Sequence, residues 1–246
     1  MDRLVYTAMT GARHVMEQQA TVANNLSNAT TTGFRAQLDS FRAVPVVSEG
    51  LPTRAFVVDS TVGADMRAGP IQTTGNPLDI AVRDQGWIAV QSADGSEAYT
   101  RNGNLKVGVN GLLQNSSGQV IQGEGGPIAI PPDTKVTIAG DGTVSTISTD
   151  YMPGPSNVLG RIKLVNPDPK GLVRGDDGLF RQSSGQPADN DPLVRVVDGA
   201  VEGSNVNPVD SMVNMISLAR QFEMQMSLMK NAENNAAKAT QILALS

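Results

Sequence analysis

The sequence predicts an α+β protein, in which long N- and C-terminal helices pair as a coiled coil and flank an inserted, mainly antiparallel β domain. Both ends of the 246-residue chain carry long stretches in which apolar residues recur at helical spacing. The middle of the chain instead carries short β-prone runs separated by glycine-containing turn dipeptides. That pattern favours hairpins over alternating βα units.

The first helix is predicted from Arg3 to about Asn28, a stretch without proline. Apolar or small residues recur there three, four or seven positions apart, at Leu4, Ala8, Gly11, Val15, Val22 and Leu26. A second row widens the stripe, at Val5, Met9, Ala12, Met16, Ala20 and Ala23. Three threonines and Gly33 are expected to end the helix.

The second helix is predicted to begin after Asn205-Val206-Asn207-Pro208, which offers a polar start and a proline suited to a first helical turn. Nothing breaks the pattern as far as Leu245, so the helix would span about 38 residues. Its apolar stripe comprises Met212, Ile216, Ala219, Phe222, Met226, Met229, Ala236 and Leu243. Neither helix can bury its stripe alone, so we expect the two to pack together.

The segment between the helices is predicted to fold as antiparallel β structure. The β-prone runs are 78–82, 87–91, 105–109, 120–122, 127–130, 135–138, 161–165 and 193–197. We expect three parts: paired terminal helices formed by 1–33 and 204–246, an extended or hairpin connector at 34–75, and a β-rich outer domain at 76–203. The placing of the β-rich domain outside the paired helices is what a family resemblance implies, and not a consequence of this pattern.

The first 34 residues carry few charges, namely Asp2, Arg3, Arg13 and Glu17. A solvated helix face usually carries many Lys and Glu residues, whereas the polar positions here are mostly amides and hydroxyls. A small bundle packed on the chain's own sheet is the ordinary interpretation of two amphipathic helices. The low charge favours instead a helix contacted by protein on more than one side, as in a multi-subunit assembly.

Composition excludes several classes of function. A net charge of −5 and a pI near 4.9 disfavour binding to nucleic acid or to anionic membranes. The absence of cysteine excludes disulfide scaffolds, thiolate zinc sites and cysteine nucleophiles. Apolar runs are too short to span a bilayer, and the N-terminal sequence lacks the apolar core of a cleaved signal peptide.

No residue is predicted to be catalytic, to bind a metal or to bind a cofactor. His14 is the single histidine and fits a polar helix surface. The Asp-Gly dipeptides at 141–142 and 177–178 lack the further acidic ligands of a calcium loop and fit turns. A secreted β-rich adhesin or glycan-binding protein with a helical stalk remains the alternative from another class.

Three ordered blocks of sequence resemble the signatures of bacterial flagellar rod and hook proteins. The first block is Ala23-Asn24-Asn25-Leu26-Ser27-Asn28 with Thr32-Gly33-Phe34-Arg35. The second is Pro77-Leu78-Asp79-Ile80-Ala81-Val82, Gly86-Trp87 and Ala98-Tyr99-Thr100-Arg101-Asn102-Gly103. The third is GAVEGSNV at 199–206, with Pro208-Val209, Met212, Met215-Ile216 and Phe222-Glu223. The likeness covers nearly the whole chain.

This resemblance implies a non-enzymatic structural subunit of the flagellar basal-body rod, which transmits motor torque across the periplasm. It implies polymerisation through the terminal helices, with copies of itself and neighbouring rod proteins as partners. It also implies export by the flagellar type III apparatus without a cleaved signal peptide, and no cofactor, small-molecule substrate, nucleic acid or membrane insertion. The wording at 6–9, 34–38 and 42–46 resembles proximal-rod members; a distal-rod or hook-type axial protein is the alternative.

The resemblance also implies roles for particular residues. Leu26 and Phe34 are expected to be inward anchors, and Gly33 to form the turn after the helix. Asn24, Asn25 and Asn28 are expected to make amide contacts that close the helix, beside ordinary capping. The residues expected to carry helix packing and assembly are Leu4, Val15, Val22, Asn24, Asn25, Leu26, Asn28, Gly33, Phe34, Glu202, Ser204, Asn205, Val206, Met212, Ile216, Phe222 and Met226.

Overall fold

A computed structural model describes residues 2–45, 55–148 and 155–244, with side-chain surroundings described for residues 5–40, 63–148 and 155–238. Two long helices lie at the ends of the chain, α1 (Asp2–Ser27) and α2 (Pro208–Ala244). The strands and one short 3-10 helix lie between them. The predicted terminal helices and the β-rich middle are therefore confirmed.

The strands are short, as the frequent turns require. In chain order they are β1 (Gln37–Pro45), β2 (Ala55–Ala64), β3 (Ile71–Thr73), β4 (Ile80–Val82), β5 (Trp87–Gln91), β6 (Glu97–Thr100), β7 (Leu105–Val107), β8 (Leu113–Asn115), β9 (Val120–Gly123), β10 (Gly126–Pro127), β11 (Thr134–Ile138), β12 (Thr143–Ser148), β13 (Asn157–Arg161), β14 (Leu164–Val165), β15 (Leu172–Arg174), β16 (Phe180–Gln182), β17 (Val196–Asp198) and β18 (Ala200–Glu202). The 3-10 helix is Pro169–Gly171.

Every strand pair in the described residues is antiparallel. The largest sheet has the order β15-β16-β6-β5-β9-β8-β7, with β10 also paired to β9 and β14 to β5. A second sheet has the order β11-β12-β13. Three further pairs are β1 with β2, β4 with β17, and β3 with β18. The last two pairs bring the end of the β region back to its beginning.

The chain divides into two compact units. The helical unit comprises Met1–Ala29, Ala36–Asp65 and Val206–Ser246, so the β1–β2 hairpin clusters with the helices. The β unit comprises Thr30–Arg35 and Met66–Asn205. The segment predicted as a connector, 34–75, thus contributes to both units, and its residues 46–54 lie outside the described part. The domain boundaries proposed from the sequence remain a prediction.

Local chemistry explains where the helices begin and end. Asn207 caps α2, because its Oδ1 accepts the backbone N–H groups of Val209 at 3.0 Å and Asp210 at 3.4 Å. Pro208 occupies the first helical position, where a missing N–H costs nothing. At the other end of the chain, Asn28 donates both its backbone N–H and its Nδ2 to the carbonyl of Asn24, which closes the last turn of α1.

The core lies in the β unit and consists almost entirely of aliphatic side chains. Its members are Ile80, Val82, Ile88, Val90, Ala98, Leu105, Leu113, Ile121, Ile128, Ile130, Val136, Ile138, Val144, Ile162, Leu164, Leu179, Val194 and Val196. Most come from strands of different sheets, so the strands are joined through this cluster rather than through one continuous sheet.

Several strands depart from the predicted runs. The run 161–165 is divided between β13, which pairs with β12, and β14, which pairs with β5. The run 193–197 is strand only from Val196, and Leu193 is 82% exposed. Strands β3, β6, β8, β12, β15, β16 and β18 lie outside the predicted runs. They are rich in polar residues or only three to four residues long, so their hydrophobic pattern is weak.

Among the described residues, neither helix combines the length and the apolar character that crossing a membrane would need.

The β7–β8 hairpin offers a direct test of the core. Val107 and Leu113 are cross-strand partners, but Leu113 is fully buried whereas Val107 is 42% exposed. Leu113→Ala should lower the free energy of unfolding by about 2–5 kcal/mol, because it leaves a cavity. Val107→Ala should lower it by less than about 1 kcal/mol. Urea unfolding followed by Trp87 fluorescence measures both, and equal losses would contradict the assignment of the core.

Candidate functional site

The polar groups that could have suggested chemistry have structural partners. His14 Nδ1 lies 3.2 Å from Glu17 Oε2 on α1. Asp141 accepts the N–H and hydroxyl of Thr143, and Asp177 accepts the N–H of Leu179 and the guanidinium of Arg181. These carboxylates hold turns. The described residues contain no group of three or more His, Asp or Glu side chains that could hold a metal ion.

The only tryptophan is buried rather than displayed. Trp87 is 4% exposed, its ring lies 4.6 Å from that of Phe180, and two arginines stack above it. A glycan-binding groove usually presents an open aromatic face. Trp87 is unavailable for that use.

The two helices pack against each other inside the helical unit. The first turns of α1 lie beside the distal part of α2, since Val5 lines one groove with Met229 and Ala236. The end of α1 lies beside the start of α2, since Val22 lines another groove with Ser217 and Leu218. The helices therefore run antiparallel. Between these points Gly11 approaches Gln225 so closely that an added Cβ would lie 3.2 Å from its side chain.

The protected positions of α2 follow a regular spacing. Apart from Ala219, the positions that are not exposed alternate by four and three residues, as Ser211, Met215, Leu218, Phe222, Gln225, Met229, Ala232 and Ala236. This is the spacing of a heptad seam. The buried stripe therefore differs from the predicted one: Phe222 is half-buried, whereas Met212, Ile216 and Met226 are about half exposed.

The exposed side of α1 is almost uncharged. Its exposed positions within the described side chains are Tyr6, Thr7, Met9, Arg13, Met16, Ala20, Asn24 and Ser27. Apart from Thr7 they are spaced three or four residues apart, so they form one stripe along the helix, called here the outer stripe. Arg13 is its only charged residue, and its Nε donates to Glu17 Oε1 at 2.8 Å.

The apolar residues predicted on α1 divide between burial and partial burial. Val15 is buried, together with Ala8 and Ala12, and Val22 and Leu26 are half-buried. The side chain of Leu4 lies outside the described residues.

The three asparagines predicted to close α1 differ in what they do. Asn24 is exposed and contributes its carbonyl to Asn28. Asn25 bonds both backbone groups of Gln37, accepting its N–H at 2.7 Å and donating Nδ2 to its carbonyl at 2.9 Å. One side-chain amide thus takes the place of a backbone partner for the first residue of β1.

In the β unit, Glu202 lies between two arginines. Its Oε1 is 2.7 Å from Arg35 Nη1, and its Oε2 is 2.9 Å from Arg101 Nη1. All three side chains are at most 5% exposed. We call Arg35, Arg101 and Glu202 the Arg–Glu–Arg cluster. Burial penalises the charged form of Arg101 and holds its pKa below the ordinary value, although the carboxylate of Glu202 acts in the opposite direction.

Gly33 forms the turn predicted for it, and its backbone approaches the same cluster. Its φ is +70°, and its N–H donates to the carbonyl of Glu202 at 2.7 Å. An added Cβ would lie 2.3 Å from the carbonyl carbon of Arg101. Only glycine fits both the positive φ and this contact.

The remaining predicted residues lie around the cluster or next to it in sequence. Phe34 is buried and carries the guanidinium of Arg174 above its ring at 4.6 Å. Ser204 is buried, and Val206, the first residue of the C-terminal segment of the helical unit, is half-buried. Asn205 donates its N–H to Phe34 O at 3.3 Å and Nδ2 to Arg67 O at 2.9 Å.

Sequence reasoning missed Arg35 and Arg101 as site residues, although both lie inside the motif blocks. The available signal was only that each arginine belongs to a motif block, because the hydrophobic pattern before Arg101 is too weak to show that a charged residue is buried there and needs a partner. Nothing local identifies that partner as Glu202, which lies 101 residues later.

Replacing Gly33 separates backbone strain from close contact. Gly33→Ala should lower the free energy of unfolding by about 3 kcal/mol or more, because it adds a clash to an unfavourable φ. Gly95 is the matched control, with φ +84° and nothing within 4 Å of its added Cβ. Gly95→Ala should cost about 1–2 kcal/mol. Equal costs in urea unfolding would show that the contact with Arg101 is unimportant.

Replacing Asn25 tests its bond to the hairpin. Asn25→Asp keeps the acceptor for the Gln37 N–H but sets a carboxylate against the Gln37 carbonyl. We expect a loss of about 1–3 kcal/mol in local stability, seen as faster hydrogen exchange at Gln37. Asn24→Asp, at an exposed position one residue earlier, is the control and should leave that exchange unchanged.

Comparison with known proteins covers these same segments. Residues 5–35 match the family described as flagella basal body rod protein, residues 81–146 the flagellar hook protein FlgE/F/G D1 domain, and residues 197–242 the flagellar basal body rod FlgEFG protein C-terminal family. Flagellar basal-body rod protein FlgF of Salmonella typhimurium is 46% identical, and that of Escherichia coli 48% identical, each over the whole of both chains.

A relative named flagellar basal-body rod protein FlgG, from Buchnera aphidicola, is 30% identical over 90% of this chain and 92% of its own. The FlgF proteins of Salmonella typhimurium and Escherichia coli are more similar to this chain than this FlgG protein is, as the proximal-rod likeness of the sequence predicts. The matched segments contain most of α1 with Gly33 and Arg35, the strands around Arg101, and Glu202 with most of α2. Together with the full-length identity to the FlgF proteins, these matches show that the chain belongs to the flagellar basal-body rod protein family.

Proposed function

We propose that this protein enters the proximal rod of the flagellar basal body through its terminal helices, and that the rod so formed is the shaft which transmits motor torque. The protein is a structural subunit of the rod and not an enzyme. Its proximal-rod character rests on the full-length identity to the FlgF proteins.

The observation that carries the proposal is the outer stripe of α1. Tyr6, Met9 and Met16 on this stripe are each more than half exposed, and Arg13 is its only charge. A helix face that stays in water usually carries many charged residues. Large apolar side chains in a row along a helix instead suit contact with another protein.

The outward side of α2 offers a second apolar patch at its start. Val209, Met212, Val213 and Ile216 are each more than half exposed. They lie away from the protected positions that face α1, so the intramolecular pairing leaves them available. Met212 and Ile216 thus keep their proposed role in assembly, but as contacts with neighbouring subunits rather than with α1.

We further propose that α1 and α2 form an antiparallel two-stranded coiled coil. The alternation of four and three between the protected positions of α2 supports this, as does the close approach at Gly11. Within this arrangement Val15, Val22, Leu26 and Phe222 hold the pair together. Asn25 joins the helix pair to the β1–β2 hairpin. The chain segments that precede the hairpin and α2 in sequence are ordered by Phe34, Glu202, Ser204 and Asn205.

The partners proposed are copies of this chain and neighbouring rod proteins, because the family matches at 5–35 and 197–242 fall on α1 and α2. The family also suggests export through the flagellar type III apparatus without a cleaved signal peptide, and a final position in the rod across the periplasm. The matches to rod proteins along the whole chain support these proposals.

The proposal predicts that charge on the outward helix faces blocks assembly without unfolding the subunit. Met16→Glu and Ile216→Glu should each abolish swimming in soft agar and remove the protein from purified basal bodies. Because both side chains are exposed, the free energy of unfolding should change by less than about 0.5 kcal/mol.

The matched control is Asn234→Glu, which adds the same charge at an exposed position of α2 beyond its exposed apolar residues. It should leave motility close to that of the wild type. Normal motility of Met16→Glu and Ile216→Glu cells would contradict the proposed role of both faces.

A further inference from the structure

The Arg–Glu–Arg cluster joins segments that are far apart in the chain. Besides the two arginines, Glu202 Oε1 accepts the N–H of Gly69 at 2.9 Å, and the Glu202 carbonyl accepts the N–H of Gly33. Close by, Gly203 donates its N–H to Pro70 O at 2.8 Å. Residues 33–35, 69–70, 101 and 202–203 therefore meet at one buried carboxylate.

The cluster itself is not electrically balanced, because one carboxylate contacts two guanidinium groups; the charge of Asp84 also favours the charged form of Arg101, but less than Glu202 does. Backbone carbonyls carry part of the excess: Arg35 Nη1 donates to Arg67 O at 2.6 Å, and Arg101 Nη2 to Asp84 O at 2.8 Å. The ring of Trp87 lies 5.9 Å from one guanidinium carbon and 5.4 Å from the other. Even so, Arg35 Nε, Arg35 Nη2 and Arg101 Nε are buried without a hydrogen-bond partner.

Without Glu202, two like charges would have to leave water side by side, which is strongly unfavourable. Both arginines precede Glu202 by at least 101 residues. The segment that brings Glu202 to them is β18, which pairs with β3 and is the last strand in the part of the chain that the structure describes. Closure of the β unit around Arg35 and Arg101 therefore depends on the arrival of its C-terminal strand.

We propose that Glu202 acts as a charge-neutralising lock, such that the β unit closes around Arg35 and Arg101 only when Glu202 inserts between them. This inference deepens the proposed function and rests on it for one point, the export of the chain through a channel. A chain threaded through an export channel cannot bring residues 35, 101 and 202 together, so its β unit stays open until the whole segment is free.

The test compares two full-length variants that carry the same amide at position 202. Glu202→Gln keeps an acceptor for the Gly69 N–H but removes the carboxylate that contacts both arginines; Asp84, which also acts on Arg101, is present in both variants. Arg35→Met/Glu202→Gln has the same amide but restores the net charge of the wild-type cluster. The Arg67 carbonyl still has a donor in that double variant, because Asn205 Nδ2 also bonds it.

The measurement is refolding from urea, followed by Trp87 fluorescence and by far-UV circular dichroism. Glu202→Gln should refold at least about tenfold more slowly than the wild type, because neutralisation is needed before the rate-limiting closure. Arg35→Met/Glu202→Gln should refold within about threefold of the wild-type rate. If Glu202→Gln fails to fold at all, recovery of folding in the double variant supports the lock equally.

Three results would overturn the proposal. The two variants could be equally slow or equally unfolded, which would assign the role of Glu202 to shape or hydrogen bonding. Glu202→Gln could change only the unfolding rate, which would place the cluster after the rate-limiting step. The double variant could be slower than Glu202→Gln. Refolding of the monomer involves no rod, so each result is separate from the motility tests of the proposed function.

Discussion

The carboxylate of Glu202 is the constraint on which the β unit depends. It is buried together with two guanidinium groups at 2.7 Å and 2.9 Å, and it also holds the N–H of Gly69. A buried ion cluster of this kind adds little net stability, but removing one partner leaves a charge that the interior cannot solvate. Glu202 therefore contributes little to stability. Its main effect is to limit which closed arrangement the β unit can adopt.

In the helical unit, by contrast, an amide side chain rather than an ion satisfies part-buried backbone groups. Asn25 bonds both backbone groups of Gln37, and Asn28 bonds the carbonyl of Asn24. Neutral amides can satisfy backbone groups in a partly buried place without the desolvation penalty of a charge. The outer stripe of α1 likewise carries amides and hydroxyls and a single charged residue, Arg13. The low charge noted in the first 34 residues of the sequence is therefore found on the exposed side of this helix.

The helices were predictable because periodicity, capping and the absence of breakers act locally, as at Asn207 and Pro208. Which residues of α2 face α1 was not predictable from the sequence. Met212 and Ile216 have the same spacing as Ser211 and Met215, and only the position of α1 decides which of the two rows is buried. Short strands such as β8 lacked a pattern of their own and exist through their neighbours. The contact of Glu202 with Arg35 and Arg101 was likewise not predictable, because a charge pair between residues distant in sequence leaves no local pattern.

Exposed apolar residues occur in both units, but their distribution differs. In the β unit Ile71, Val158 and Leu193 lie on separate elements, and single exposed apolar residues are normal on a protein surface. On α1 they recur along one stripe, and on α2 they occur in the first turns, at 209–216, and again at 224–228. A row of this kind is a liability for a subunit in water, because it favours association with whatever apolar surface is available. In the rod that we propose, neighbouring subunits would give such a row a defined partner, which is why we assign assembly to the helices and not to the β unit.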